Sequence, residues 1–338
     1  MKNKMYVTDG RGNLNLTERP IPELKSHDVL VEIAAVSLNF RDIPFIKGNA
    51  TRQPSLGRIP FSDAVGRVEA IGDGVERVRV GDRVSPTILP NWIDGPLTPQ
   101  GLSNGFGSAG RDGLMTEFSV VEDSALVRVP DYLSDQEAAT LPCAAVTAWH
   151  ALAEVGAISP NEVVVIETTG GVAMFAAQIA VAMGLKTVLT SRSEVKLAKA
   201  RELGVWQTIN SVEFPAWDER VLALTDARGA RLVLDMGLRD GLPRSCRAAS
   251  FEGTVAIIGM VDGWKTVFEI APVMNKNLRV RGVETGSRAM FERMNAFFEQ
   301  KQIRPIISKV FNFGEVDAAL DELGRSPFGK VVINLASE

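Results

Sequence analysis

Apolar and polar positions change rhythm twice along the chain. Residues 1–125 carry short, β-branched, partly alternating stretches at 27–36, 64–72, 77–84 and 117–121. Alternation over such lengths predicts half-buried strands. Gly72-Asp73-Gly74, between the second and third stretches, reads as a turn. Residues 89–113 are dense in Gly, Pro and Asn and predict a long irregular loop of the kind that carries function.

The character changes after Pro130. Ser134 and Glu137 have capping-box spacing, and a helix restarts after Pro142 to run to about Gly156. From 162 to about 282, strands alternate with helices. The run at 162–167 is continuously apolar between its two end glutamates, as expected of a strand buried on both faces. A helix at 171–184, a strand at 186–191 and a helix at 194–204 follow, then strands at 205–210, 230–235, 254–259 and 277–283. This alternation predicts a doubly wound parallel sheet of the Rossmann kind. Beyond it come a helix with the apolar stripe Phe291, Met294 and Phe298, and strands at 309–313 and 330–335. They break the alternation and are expected to rejoin the first domain. The fold class is α/β, with a β-rich domain at 1–125 completed by 284–338, and a dinucleotide-type domain at 126–283.

Composition narrows the function. A chain of 338 residues suits two domains, and 45% hydrophobic with 23% charged residues argues against disorder. Lys and Arg total 37 against 41 Asp and Glu, a net charge of −4, which speaks against a nucleic-acid partner. Two cysteines exclude a disulfide framework and a four-cysteine zinc site, and suit a reducing compartment. The first ten residues lack the apolar core of a secretory signal, and no apolar run approaches the roughly 20 residues of a membrane span. The expectation is a soluble cytoplasmic protein acting on a small molecule, with no membrane partner.

The turn after the first Rossmann strand is Thr168-Thr169-Gly170-Gly171-Val172-Ala173. Glycines there let the backbone approach a pyrophosphate above a helix N-terminus. Thr168 replaces the first glycine of G-x-G-x-x-G, and Ala173 the last. The plain alternative is an ordinary β–α turn. At the end of the next strand, where an NAD site shows a carboxylate, the chain has Ser191-Arg192, with Lys196 one turn on. Their charge suits a 2′-phosphate, so the reading is NADPH; the alternative is a solvated helix start.

Over nearly its whole length the sequence resembles a medium-chain dehydrogenase/reductase of the zinc-free, quinone-oxidoreductase-like and alcohol-dehydrogenase-like kind. The stretches that carry this are Asn39–Asp42, Ile59–Gly66, Gly72–Val75, Val80–Val84, Glu137–Cys143, Thr147–Trp149, Gly170–Val172, Gly286–Arg288 and Gly329–Val332. The resemblance implies a GroES-like catalytic domain, a Rossmann domain that holds the cofactor, and a dimer or tetramer, with a homodimer paired through 277–283 as the expectation. It adds Thr147, Gly259, Arg288 and Lys330 to the cofactor residues Thr168, Gly170, Gly171, Val172, Ser191, Arg192 and Lys196. At the places of the family's catalytic zinc ligands stand Asn39, Ser62 and Cys143. One thiolate with a neutral amide and a hydroxyl does not make a zinc site, so no metal is expected.

Without zinc, another group must polarise the substrate. The resemblance puts Asn39, Arg41, Asp42, Ser62 and Asp63 at that place. Many relatives carry a tyrosine five residues after the Asn; here it is Pro44. His150 reads as structural or as a proton carrier, Cys143 as packing, and Trp92 and Phe106 as substrate mouth or loop packing. Hydride addition to a quinone or enone needs donors for an oxyanion more than it needs a base. Alcohol oxidation needs a general base. This asymmetry favours an NADPH-dependent reductase over a metal-free alcohol or aldehyde dehydrogenase. A repurposed, non-catalytic protein is the third reading.

Overall fold

The computed structural model describes residues 2–48, 55–156 and 158–335. The chain divides into two units, Met1–Val146 with Thr285–Glu338, and Thr147–Glu284. It opens with β1 (Lys2–Thr8) and β2 (Leu14–Pro20), then β3 (Asp28–Leu38), β4 (Asp63–Ile71), β5 (Arg83–Pro86), β6 (Phe118–Glu122) and β7 (Leu126–Arg128). The second unit carries β8 (Val163–Glu167), β9 (Lys186–Ser191), β10 (Gln207–Asn210), β11 (Ala230–Asp235), β12 (Ala249–Ile257) and β13 (Arg279–Gly282). The chain returns to the first unit with β14 (Ile307–Asn312) and β15 (Lys330–Asn334).

In the first unit β1 and β2 form an antiparallel hairpin, and the main sheet runs β14-β15-β3-β4-β5-β7. β3 is its spine. β6 takes Asp28–Glu32 of one edge and β15 takes Ala35–Leu38, while β4 runs along the other. The alternation of the sequence survives as burial: Val29, Val31 and Ile33 point into a core with Phe45, Phe61, Leu114, Val331 and Ile333. Each such side chain stabilises the unit by about 1.5–3 kcal/mol.

The second unit holds one parallel sheet in the order β10-β9-β8-β11-β12-β13. This is the doubly wound order, and it reverses between β8 and β11. Central strands are covered on both faces, which is why Val164, Val165 and Ile166 are all fully buried. Ligands of such sheets sit outside the carboxyl ends of the strands, at the reversal.

Three expectations about boundaries change. The division falls at Val146 rather than 125, because β7 pairs with β5 and belongs to the first sheet. The strand expected over 77–84 starts only at Arg83, because Gly81 turns the chain at φ +90° and Asp82 caps the Arg79 amide. The connecting helix is not regular. It opens with the capping box of Ser134 and Glu137, then widens into π-type turns at Leu141–Ala145 and His150–Val155. Among the described residues, no helix is long and apolar enough to cross a membrane.

Candidate active site

Strand direction builds the polar centre of the first unit. β3 is antiparallel to both β4 and β15, so its carboxyl end meets the amino ends of the other two. Asn39 leaves β3 there, Asp63 opens β4 opposite Ser37, and Lys330 opens β15. The Lys330 Nζ donates to Leu38 O at 2.8 Å and to Asn39 Oδ1 at 2.5 Å, and lies 3.9 Å from Asp63 Oδ2. Asp63 accepts from Ser62 Oγ at 2.8 Å and from the Cys143 amide at 3.1 Å. Asp42 folds back to accept the Asn39 amide at 2.7 Å. Arg41 turns away and donates to Phe106 O at 3.1 Å.

All these groups are buried except Arg41 and Cys143, which are half-buried. Burial pushes the Asp42 carboxyl up to about 7, against the pull of Arg41. Burial also pushes Asp63 up, against the pull of Lys330 and of the neighbouring Asn39 amide. Desolvation and then the Asp63 charge push the Cys143 thiol up, so it is no thiolate at neutral pH. The Asn39 Nδ2 is buried, and for all its nearness to Asp63 it has no partner in hydrogen-bonding geometry. An orphaned donor costs about 1–3 kcal/mol unless a ligand oxygen accepts it.

The loop at 89–113 serves this centre by packing. Trp92 and Phe106 are buried rather than displayed. Gly113 passes so close to the Pro60 and Phe61 carbonyls that a Cβ there would collide with both. That contact holds Phe61 at φ +66°, directly before Ser62 and Asp63.

The second unit carries the phosphate-type turn. β8 ends at Glu167, Thr168 turns the chain at φ +68°, and the helix Gly171–Ala182 starts behind Gly170. The first turn of that helix has neither a side-chain cap nor an acidic residue, and a Cβ on Gly170 would meet open space. At the end of β9, Ser191 is buried, Arg192 exposed and Lys196 half-buried. Desolvation, and then the Arg192 and Lys199 charges, push the Lys196 ammonium down.

The Alcohol dehydrogenase GroES-like domain family matches residues 25–131, and the Zinc-binding dehydrogenase family matches 171–300. A Schizosaccharomyces pombe protein described as zinc-type alcohol dehydrogenase-like is 35% identical over 96% of each chain. A Pseudomonas aeruginosa quinone oxidoreductase is 29% identical over 90% of each. A solved Sinorhizobium meliloti 1021 protein, provisionally described as an alcohol dehydrogenase, superposes with a TM-score of 0.93 at 38% identity over 99% of both chains. The chain belongs to the medium-chain dehydrogenase/reductase superfamily. That superfamily is an oxidoreductase family of the NAD(P)-dependent dehydrogenase type, and the chain has its Rossmann and GroES-like domains.

The second unit fits a superfamily dinucleotide. The uncapped helix start and the open space at Gly170 leave backbone N–H groups of Gly171 and Val172 for a phosphate. The first unit does not fit a catalytic zinc. The Asn39 oxygen is held by the Lys330 ammonium and the Ser62 hydroxyl donates to Asp63, which leaves Cys143 without two strong ligands beside it.

The other sequence candidates scatter. Lys330, expected at the cofactor, is buried inside the acidic centre of the first unit. Arg288 donates to Ser124 O at 2.8 Å and lies 3.5 Å from Glu292. His150 is buried, with Nδ1 at 2.9 Å from Glu284 O. Thr147 is buried in the second unit, and Gly259 packs against the Met236 backbone.

The sequence reading missed a pair of carboxylates at the reversal of the sheet. Glu167 ends β8 and Asp235 ends β11, the two strands flanking that point. Glu167 Oε2 accepts the Met236 amide at 2.8 Å, while Oε1 is buried without a partner. Asp235 accepts the Gly237 amide at 2.9 Å and the Ser245 hydroxyl at 2.8 Å. Burial, then the Asp235 charge, pushes Glu167 up to about 8. A carboxylate closing an otherwise apolar strand was the available signal.

Proposed function

We propose that the protein is an NADPH-dependent, zinc-independent reductase of electron-poor conjugated carbonyl compounds, quinones or enones. The observation that carries the reading is the buried Asn39 Nδ2, a donor that lies near Asp63 but out of hydrogen-bonding geometry with it. When the acceptor takes hydride at carbon, its oxygen becomes an oxyanion, and a preorganised amide donor stabilises it. Phe40, the next residue in the chain, is half-exposed and offers an apolar ring to a planar acceptor. The product oxyanion takes its proton from water.

NADPH supplies the hydride when bound. Gly170, Gly171 and Val172 would hold the pyrophosphate, and Arg192 with Lys196 the 2′-phosphate. The cationic side chains of Arg192 and Lys196 just after β9, with no carboxylate at that strand end, are the ground for choosing NADPH over NADH. Zinc independence is supported by the donor set, in which the Asn39 oxygen is held by Lys330 and the Ser62 hydroxyl by Asp63. Alcohol oxidation is less well served. Asp42, the carboxyl nearest neutrality, already accepts the Asn39 amide.

We propose further that the protein is a homodimer. β13 is an open sheet edge, and Trp264, Val267, Ile270 and Met274 of the same unit are exposed. A second copy adding its own β13 would satisfy the edge and cover these side chains.

Separate titrations with NADPH and NADH, followed by tryptophan fluorescence, test the cofactor. The expected result is tight NADPH binding that falls about 10–100-fold in R192A/K196A, on the order of the charge-assisted bonds lost, with NADH binding unchanged. An acceptor screen in chelator is then expected to show turnover. Binding of neither dinucleotide, or turnover lost to chelator, overturns the reading.

A further inference from the structure

We propose that Lys330 is a positioning residue, whose ammonium fixes the Asn39 amide so that Nδ2 rather than Oδ1 is presented to the substrate oxygen. The proposal rests on the reading above, in which Asn39 is the oxyanion donor. An asparagine amide has two nearly isosteric orientations, and only one puts a donor at a given place. Here Oδ1 sits 2.5 Å from the Lys330 Nζ. Flipping the amide would set its NH2 against an ammonium, donor on donor. Lys330 cannot turn aside to allow this, because it also donates to Leu38 O and lies 3.9 Å from Asp63. It is only 2% exposed, so water does not substitute for these partners.

The backbone delivers Lys330 to this place. Gly329 turns at φ +90°, in contact with the Ile306 carbonyl where a Cβ would not fit. Lys330 therefore enters β15 opposite the end of β3 with its side chain under the Asn39 segment. The ammonium has a second effect. A cation on the amide oxygen polarises the amide and makes its N–H a stronger donor. Lys330 thus acts through Asn39, and Asp63 keeps the ammonium in register.

A double-mutant cycle separates this role from a structural one. Asn39→Ala is expected to lower kcat for an active acceptor about 100-fold, the cost of one oxyanion donor, with the NADPH dissociation constant within about twofold. Lys330→Met is expected to lower kcat at least about tenfold with Asn39 present, and less than about threefold in the Asn39→Ala background. Lys330→Arg, which keeps a cationic donor, is expected to recover part of the loss. If Lys330→Met does not fold because Asp63 is left unpaired, K330M/D63N removes both charges and enters the same cycle. Losses that multiply, tenfold in both backgrounds, overturn the positioning role while leaving the reductase reading intact. Unchanged kcat in Asn39→Ala overturns both.

Discussion

The Glu167 carboxyl makes folding stability depend on pH in an unusual direction, and Glu167→Gln should expose this. In the unfolded chain a glutamate titrates near 4.5; in the fold burial and Asp235 push Glu167 up to about 8. Between these values the folded state keeps a proton that the unfolded state has released. Stability is therefore lost as pH rises through that window, and levels off above about 8. Each pH decade inside the window is worth about 1.4 kcal/mol. From pH 5.5 to 8 the loss from this group is then on the order of 3 kcal/mol, part of it shared with Asp235. Among the described residues, the charges acting on Glu167 are those of Asp235 and Asp262, both of which raise it. The glutamine of the variant would still accept the Met236 amide, and would put an NH2 where the carboxylate's Oε1 has no partner. Thermal melts of both proteins at half-unit steps from pH 5.5 to 9 measure the difference. The variant is expected to gain on the wild type as pH rises, by several degrees in Tm between pH 5.5 and 8. A pH-independent gap, or a wild type that gains on the variant, would refute the buried-proton account.

Two more outcomes follow from the second unit. Thr168 is β-branched and held at φ +68°, a conformation that costs an L-residue about 1–2 kcal/mol. Thr168→Gly removes that strain but loosens the unfolded chain by about 0.4–1 kcal/mol, so melting should show Tm unchanged or slightly raised; a drop of several degrees would mean that Thr168 is held by contacts worth more than its strain. For the dimer, sedimentation is expected to give twice the 36.6 kDa of one chain, and Val280→Pro, which breaks the β13 edge, to give single chains that still bind NADPH; a wild type that sediments as one chain at micromolar concentration contradicts the proposed pairing.

What the sequence could and could not say follows from which interactions are local. The Rossmann half was legible because each β-α pair writes its own period: the apolar run of β8, the glycines after it and the helix Gly171–Ala182 are contiguous. The capping box at Ser134 and Glu137 was legible for the same reason, both partners lying within one turn. Asn39 and Asp63 were singled out through a resemblance rather than through their spacing, and the structure sets both in one buried polar centre with Lys330. The burial of Lys330 was not legible, because nothing local distinguishes a buried lysine from a surface one. Its burial is decided by β15 pairing with β3, almost 300 residues earlier in the chain. The β1–β2 hairpin escaped notice because β2 has one buried face residue, Leu14, and otherwise reads as polar. The Glu167–Asp235 pair shows the same limit from the other side. Each carboxylate alone looks like the polar end of a strand, and only the parallel register of β8 and β11 makes them neighbours. Chemistry that two distant segments must share is set by topology, so it becomes readable once the strand order is known. The strand order also says where to look, since carboxyl ends at the reversal of a doubly wound sheet are where polar side chains leave the core together.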